Sequence, residues 1–246
     1  PLEVMESLES QLGKELANLD VSESDQKYIR YYLDLIKQKD TPTSEHSMRL
    51  AILGPKVARC LGPTMDQRAM LFTGGLHDIG KIEIEDDVLK KTKGFSAEDM
   101  EKMVAHPIIS YLILEKVDLC SAEMALRHHH NQEDGYPSTE VINRLSKLTN
   151  GEKAKIEYHS LIFSRLDVYD AATNRKNDKY DGKVLTPEEV RPILIEQNPE
   201  VANEVNTLYD AGVLGSKKII VPGIEIMVPG KKDQGVSIAT TINEKA

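Results

Sequence analysis

Residues 74–82 read Gly-Gly-Leu-His-Asp-Ile-Gly-Lys-Ile. His77 and Asp78 are adjacent in an otherwise apolar run, which predicts the last turns of a buried helix ended by Gly80. Burying an ionisable pair is costly unless it is hydrogen-bonded or bound to a metal. Lys81 follows Asp78 by three residues and can return to the same helical face. A satisfied His-Asp hydrogen bond and a metal site both fit this stretch alone.

The composition limits the classes of function open to this chain of 246 residues. Its 31 basic and 40 acidic residues give a formal net charge of −9, which argues against a nonspecific binder of duplex nucleic acid. An anionic substrate would therefore need a metal or a local cationic pocket. No run of about 18 apolar residues marks a membrane-spanning helix. Cys60 and Cys120 lie far apart and suit a reducing compartment, so we expect a cytoplasmic protein with no membrane partner.

The spacing of the apolar residues predicts a mainly helical chain. Leucines at intervals of three and four predict an amphipathic helix over residues 2–19, and Ser22 can cap a second helix that ends near Lys39. We interpret residues 1–42 as a helical hairpin that either packs on the core or forms a homodimer. Further helices are predicted to start near residues 41, 65, 97, 107, 121, 152, 187 and 200.

The C-terminal part of the chain has a different pattern. Three runs rich in β-branched residues follow the last predicted helix: Lys217–Val221, Ile224–Val228 and Val236–Ile242. Pro222-Gly223 separates the first two runs, which indicates a turn between strands. We therefore predict an N-terminal hairpin over residues 1–42, a helical domain over 43–213, and a small β-ribbon over 214–246.

Seven histidine and aspartate residues form a candidate metal site: His46, His77, Asp78, His106, His129, His130 and Asp167. Most lie at predicted helix ends or on otherwise apolar helices, and five of the chain's seven histidines belong to the set. Imidazole and carboxylate ligands without thiolate suit iron, manganese, cobalt, nickel or zinc. Such a set exceeds the ligands of one tetrahedral ion but suits two metals with positions open to water and substrate. Any one of these residues alone would more often be structural, whereas the joint pattern favours a metal centre.

The order of these motifs resembles a known family. The matching motifs are His77-Asp78-Ile79-Gly80-Lys81, His106-Pro107, His129-His130, Gly135-Tyr136-Pro137 and Asp167–Arg175. They occur in the order found in the HD superfamily of metal-dependent phosphohydrolases, and within it the HD-GYP branch. The resemblance covers roughly residues 43–181. It implies an all-α helical bundle, two or three metal ions, and hydrolysis of a phosphodiester of cyclic di-GMP.

The resemblance also implies a role for each matching residue. The seven candidate residues would be metal ligands, and Asp78 would bridge two divalent ions, with iron or manganese favoured. Lys81 would act beside Asp78 in catalysis and face the substrate phosphate. Arg175 and Tyr136 would bind the substrate, a small anionic nucleotide, with Lys179 as a weaker second candidate. The remaining histidines, His128 and His159, are interpreted as surface or supporting residues.

Three departures from the family pattern bear on substrate and metal number. The usual Gly-x-Gly-Tyr-Pro is shortened to Gly135-Tyr136-Pro137, and Asn131 stands where the family has a glutamate after the histidine pair. Both changes bear on the substrate and on any partner-binding surface. Pro42 stands where three-metal members carry a glutamate. We therefore expect two metals.

The favoured function is hydrolysis of a cyclic-dinucleotide phosphodiester by a hydroxide held between two metals, with Lys81 stabilising phosphate charge. Three alternatives stay open at this stage: a nucleotide phosphomonoesterase, a degenerate module that binds a nucleotide or partner without turnover, and a two-iron oxygenase. The intact ligand set argues against a module that only binds. The lysine beside the His-Asp pair favours phosphate chemistry over oxygenase chemistry.

Overall fold

The computed structural model describes residues 6–91, 94–132, 134–176, 180–215, 218–221 and 224–227, the last two ranges by their backbone alone. Within these ranges the chain forms twelve α-helices, α1 to α12 in chain order: Leu8–Asn18, Glu23–Lys39, Thr41–Leu61, Gln67–Leu76, Asp86–Leu89, Ala97–Met103, His106–Leu114, Leu119–Arg127, Thr139–Leu145, Asn150–Asn174, Pro187–Gln197 and Ala202–Asp210. The prediction of an all-α helical body is confirmed. No helix in the described ranges has both the length and the apolar character of a membrane-spanning segment.

Two short strands follow the helices. Lys218–Val221 (β1) pairs antiparallel with Ile224–Met227 (β2). They coincide with the first two predicted strands. The predicted third strand, 236–242, lies outside the described residues, as does the predicted turn at 222–223. The β-ribbon as a C-terminal unit therefore stays a prediction.

Side-chain caps begin several helices where the sequence predicts them. The Ser22 hydroxyl accepts a backbone N–H at the start of α2, and Asp40 does the same at the start of α3. Ser96 and Thr186 each form a reciprocal capping box, at the starts of α6 and α11. Gly62 ends α3 with a φ of 103°, a conformation that favours glycine. These starts and ends are local in origin, because each depends on residues within one helical turn.

The prediction that Gly80 ends the buried helix is wrong. Helix α4 ends at Leu76, and Ile79–Glu83 forms a separate 3-10 helix. Gly80 does not have the positive φ of a left-handed helix end. A Cβ atom at this position would instead lie 2.2 Å from the carbonyl oxygen of His106, so only glycine allows the two segments to approach. This close approach brings the residues after α4 against the start of α7.

The core lies on both sides of the α3–α4 pair. On one side, apolar residues of α3 and α4 pack with those of α10, α11 and α12. On the other side they pack with α1, α2, α7 and α8. Leu12 and Leu16 of α1 and Ile29 of α2 are fully buried there, so the apolar face of the hairpin lies against the helical body. The division of the chain at residues 42 and 213 stays a prediction.

Helices α3 and α4 approach each other closely at two glycines, Gly54 and Gly74. A Cβ atom at Gly74 would lie 2.5 Å from the backbone carbonyl of Leu50, and one at Gly54 would lie 2.6 Å from the carbonyl oxygen of Met70. Backbone atoms inside two packed helices cannot move aside at low cost. Since α3 carries His46 and α4 leads to His77, this contact also sets the separation of two candidate ligands.

Replacing Gly74 by alanine should lower the free energy of unfolding by about 1–3 kcal/mol, the usual cost of overpacking a core. Urea denaturation followed by circular dichroism measures this change. Gly151→Ala is the matched control, because a Cβ atom on this residue early in α10 meets nothing within 4 Å. Its stability should be unchanged or raised by up to about 1 kcal/mol. Equal stability of Gly74→Ala and the wild type would show that the helices can separate freely.

Candidate metal centre

Buried histidines and aspartates from five helical elements meet at one place, which we call the metal centre. The residues are His46 in α3, His77 and Asp78 directly after α4, His106 at the start of α7, His128 and His129 directly after α8, and Asp167 in α10. His46, His77, Asp78, His106 and His128 are at most 1% exposed. The helix pairing described above therefore brings together residues that are far apart in the chain.

The first ligand group consists of Asp78 and three histidines. Asp78, His106, His128 and His129 each offer one ligand atom, and these atoms all lie within 4.8 Å of one another. The Nε2 atom of His106 lies 3.3 Å from Asp78 Oδ1, and the Nε2 atom of His128 lies 3.8 Å from the same oxygen. The four residues could therefore share one cation.

A second group consists of His46, His77 and Asp78, whose ligand atoms also lie within 4.8 Å of one another. Asp167 extends it, because its Oδ1 atom lies 3.1 Å from Nε2 of His46 and 3.9 Å from Nε2 of His77. Asp78 belongs to both groups. One carboxylate with two oxygens is thus placed between two sets of histidines.

Among the described residues, two buried polar atoms of the centre find no hydrogen-bond partner: Nε2 of His77 and Oδ1 of Asp78. Buried polar atoms in proteins are nearly always satisfied, so such orphans call for an explanation. Both atoms are potential electron-pair donors, and both residues belong to the ligand groups described above. The set of imidazole and carboxylate donors, with no thiolate, suits a divalent transition metal. The residues present therefore fit a metal site.

The electrostatics of the centre favour neutral imidazoles at His77, His128 and His129 and an ionised carboxylate at Asp78. Burial lowers the pKa of His77 to about 4 and that of His129 to about 3, and it holds the pKa of His128 well below its ordinary value. Burial raises the pKa of Asp78, but the charges of Lys81 and His77 outweigh it and keep that pKa well below the ordinary range. At neutral pH these four residues therefore have the protonation states that bind metal ions.

Three of the histidines are oriented by backbone carbonyls. Nδ1 of His106 lies 2.7 Å from the carbonyl oxygen of Met103, and Nδ1 of His128 lies 2.6 Å from that of Ala125. Nδ1 of His77 lies 3.2 Å from the carbonyl oxygen of Thr73. A carbonyl oxygen only accepts, so each neutral ring must carry its proton on Nδ1. The lone pair of Nε2 is then free to face the centre.

His46 is oriented by a carboxylate. Its Nδ1 atom lies 2.7 Å from Oδ2 of Asp170, and Arg49 holds the same carboxylate through Nε at 2.7 Å and Nη2 at 2.8 Å. Burial lowers the pKa of His46, but Asp167 and Asp170 outweigh it and raise that pKa overall. Arg49 is not among the site residues that the sequence predicts. Its position three residues after His46 in the same helix was the available signal.

The group around Asp78 contains His128 and does not contain His130, for which the sequence predicts a ligand role. His128 is fully buried and belongs to the group around Asp78, so of its two interpretations, surface or supporting residue, the surface one is wrong. His130 belongs to neither ligand group among the described residues, and its Nδ1 atom lies 2.8 Å from the carbonyl oxygen of Pro137. Helix α8 ends at Arg127. The turn that follows determines which of the three consecutive histidines lie close to Asp78.

His159 lies elsewhere. Its Nδ1 atom lies 2.6 Å from the carbonyl oxygen of Lys155, and its Nε2 atom accepts the backbone N–H of Asp66 at 3.0 Å. The residue is 1% exposed, so it is a buried structural residue and not a surface one. It joins α10 to the start of α4 and takes no part in the metal centre.

A cavity of about 210 Å³, which we call the central cavity, opens onto the metal centre. Lys81 and Arg175 are its cationic lining residues within the described part of the chain. The ammonium group of Lys81 lies 2.7 Å from Oδ2 of Asp78, and Nη2 of Arg175 donates to the carbonyl oxygen of Pro42 at 2.9 Å. Lys179 lies outside the described residues. The cavity thus combines the candidate ligands with two positive charges, in a chain that is acidic overall.

Tyr136 flanks the centre from the loop after α8. Its ring centre lies 4.7 Å from that of His129 and 6.1 Å from that of His106. Burial and the nearby charges of Asp78 and Asp167 raise the pKa of its hydroxyl, so the group stays protonated at neutral pH. The tyrosine is therefore placed to cover the candidate ligand His129 and to offer a hydroxyl near the site.

Comparison with known proteins matches this chain to a described family. The family model of the HD domain matches residues 43–172. These residues include every member of the metal centre, from His46 on α3 to Asp167 on α10. The match therefore covers the segment that carries the geometry described above.

Several curated proteins are similar to the chain. It is 29% identical over 195 residues to a cyclic di-GMP phosphodiesterase of Thermotoga maritima, which covers 71% of this chain and 49% of that protein. It is 31% identical over 172 residues to the cyclic di-GMP phosphodiesterase response regulator RpfG of Xanthomonas campestris pv. campestris, which covers 67% of this chain and 42% of that protein. A 3'3'-cGAMP-specific phosphodiesterase of Vibrio cholerae is 25% identical over 185 residues, 73% of this chain and 33% of that protein. The chain thus spans about half the length of these relatives or less.

Proposed function

This chain belongs to the HD domain family, and on that premise we propose that it is a metal-dependent phosphohydrolase acting on a cyclic dinucleotide such as cyclic di-GMP. The observation that carries the proposal is the pair of ligand groups that share Asp78 and open onto a cavity with Lys81 and Arg175. The names of the similar proteins, cyclic di-GMP and 3'3'-cGAMP phosphodiesterases, support the substrate class.

We propose that the metal centre holds two divalent ions, with iron or manganese favoured for its imidazole and carboxylate donors. His46, His77, Asp78 and Asp167 would hold one ion, and Asp78, His106, His128 and His129 the other. When bound, such ions supply an activated water and positive charge for phosphodiester hydrolysis. This ligand set contains His128 in place of His130, which the sequence predicts as a ligand.

The remaining site residues bind and orient the substrate in this proposal. Lys81 holds Asp78 in place and offers its ammonium group to a non-bridging phosphate oxygen in the central cavity. Arg175, which also lines the central cavity, binds a second phosphate oxygen. Tyr136 packs on His129, excludes water from that side and offers its hydroxyl to the substrate.

Replacing His128 by asparagine should lower the bound metal from about two ions per chain to about one, because it removes one donor from a four-donor group. His130→Asn, the matched control from the same turn, should keep its metal. Both are measured by elemental analysis of protein purified with manganese or iron and without chelators. If His128→Asn keeps its metal and His130→Asn loses it, His130 is the ligand, as the sequence predicts.

The proposed function is tested with metal-loaded protein and a panel of phosphoesters. The panel contains cyclic di-GMP, 3'3'-cGAMP, the linear dinucleotide of guanosine and a nucleoside monophosphate, with products separated by chromatography. We expect the cyclic substrates to be opened to linear dinucleotides. Turnover of the monophosphate alone would identify a phosphomonoesterase instead. Binding of cyclic dinucleotides without cleavage under every metal tried would identify a module that only binds.

Further features of the chain are proposed from its sequence alone. We propose the division into residues 1–42, 43–213 and 214–246, with the last part forming a small β-ribbon. We also propose a cytoplasmic location and a homodimer. Sedimentation of the purified chain over a range of concentrations measures the oligomeric state.

A further inference from the structure

A second depression, of about 630 Å³, adjoins the central cavity, and we call it the amide pocket. Four of its lining residues carry side-chain amides: Asn131, Gln132, Gln197 and Asn198. Gln132 and Gln197 also line the central cavity, so these two side chains stand at the junction of both spaces. A nucleotide whose phosphate lies in the central cavity would extend its base past this junction.

The carboxamide of Gln197 can be oriented without ambiguity. Its Oε1 atom accepts from Nη1 of Arg165 at 2.7 Å. Because an arginine only donates, the oxygen of Gln197 must face Arg165 and its NH₂ group must face away. Arg165 is 1% exposed and also donates to the carbonyl oxygen of Asn131 at 3.2 Å. Gln197 is therefore held in place by a buried group and presents a hydrogen-bond donor.

Gln132 has the opposite orientation. Its Nε2 atom donates to Oδ2 of Asp167 at 3.0 Å and to the carbonyl oxygen of His128 at 3.3 Å. Both partners only accept, so the nitrogen must face them, and both of its hydrogens are engaged. The atom left to interact with a ligand is Oε1, an acceptor. The junction thus carries one fixed donor and one fixed acceptor.

We propose that Gln132 and Gln197 read the base of the substrate and select a purine with a lactam edge. Guanine and hypoxanthine present O6 as acceptor and N1–H as donor, which match the NH₂ group of Gln197 and the Oε1 atom of Gln132. Adenine presents an amino donor and a ring-nitrogen acceptor in the same places, so both contacts become donor–donor or acceptor–acceptor. This inference rests on the proposed function, since the base belongs to the nucleotide whose phosphate lies at the metal centre.

The test compares cyclic di-GMP, cyclic di-IMP and cyclic di-AMP with the full chain, first by equilibrium binding and then by turnover. The wild type should prefer the first two over cyclic di-AMP by about 10- to 100-fold, the range for one well-formed bidentate base contact. Gln197→Glu should bring this preference close to one, because its side chain keeps an oxygen for Arg165 but offers an acceptor to the base. Gln38→Glu, an exposed position on α2, is the matched control and should keep the preference.

Cyclic di-IMP isolates the lactam edge, since hypoxanthine has no 2-amino group. Rejection of cyclic di-IMP together with cyclic di-AMP would overturn the inference. Equal binding of all three ligands by the wild type, or full preference in Gln197→Glu, would do the same.

The proposed function has its own readout in bis(p-nitrophenyl) phosphate, a phosphodiester that carries no base. If the metal-loaded wild type cleaves neither this compound nor any dinucleotide, the proposed hydrolysis is wrong. The binding ratio for cyclic di-GMP over cyclic di-AMP in wild type and Gln197→Glu still decides the inference in that case.

Discussion

Replacing Asp78 by alanine should remove metal and phosphodiester hydrolysis together. Asp78 is the residue common to both ligand groups, and its Oδ1 atom has no hydrogen-bond partner in the part of the chain that the structure describes. Without it, neither group retains its central donor, and Lys81 loses the carboxylate that lies 2.7 Å from its ammonium group. Metal catalysis of this kind contributes several kcal/mol, so activity should fall by about 10³-fold or more.

The measurement combines elemental analysis with hydrolysis of cyclic di-GMP by the same protein sample. Asp78→Asn keeps the shape of the side chain but not its charge, and it should fail in the same way if the carboxylate itself is required. Asp34→Ala, at an exposed position on α2, is the control and should keep both metal and activity. Circular dichroism of each variant verifies the fold. An Asp78→Ala protein with two bound ions and wild-type turnover would remove Asp78 from the centre.

Replacing Lys81 by alanine should cut turnover by about two orders of magnitude while leaving most of the metal bound. Lys81 contacts Asp78 but offers no lone pair to a metal when protonated, and 16% of its side chain is exposed towards solvent. Its ammonium group is therefore available to the phosphate in the central cavity. Loss of one charged contact in the transition state typically costs about 10²–10³-fold in turnover.

The kcat of Lys81→Ala for cyclic di-GMP and the metal content of the same protein sample are measured together. Lys81→Arg should recover part of the activity, because it restores a positive charge of similar reach. Lys37→Ala, exposed on α2, serves as the control. Full activity in Lys81→Ala would exclude Lys81 from the mechanism. Loss of metal in that variant would instead make Lys81 part of the structure that holds Asp78.

The sequence by itself determined the helical body and the types of residue in the site. Helix starts at Ser22, Ser96 and Thr186 follow from hydrogen bonds within one turn, which local sequence specifies. Apolar residues spaced three and four positions apart predicted which face of each helix is buried. The order of the His, Asp and Lys motifs also predicted the family. These features could be read because each depends on near neighbours in the chain or on residue order alone.

The tertiary structure decided which atoms face the metal centre. His128, His129 and His130 are chemically identical neighbours, and the turn after α8 sets which of them point inward. A glycine such as Gly80 is typical of a helix end. Here it is needed because the backbone of His106, a residue distant in the chain, lies too close for a side chain.

The same holds for the groups that orient the site. Arg49 and Asp170 meet only because α3 packs against α10, and Arg165 orients Gln197 across the gap between α10 and the end of α11. Contacts between separate helices determine where each site side chain points, how far apart the side chains lie, and which of their atoms donate or accept hydrogen bonds. No local pattern encodes these contacts, because packing and not periodicity determines them.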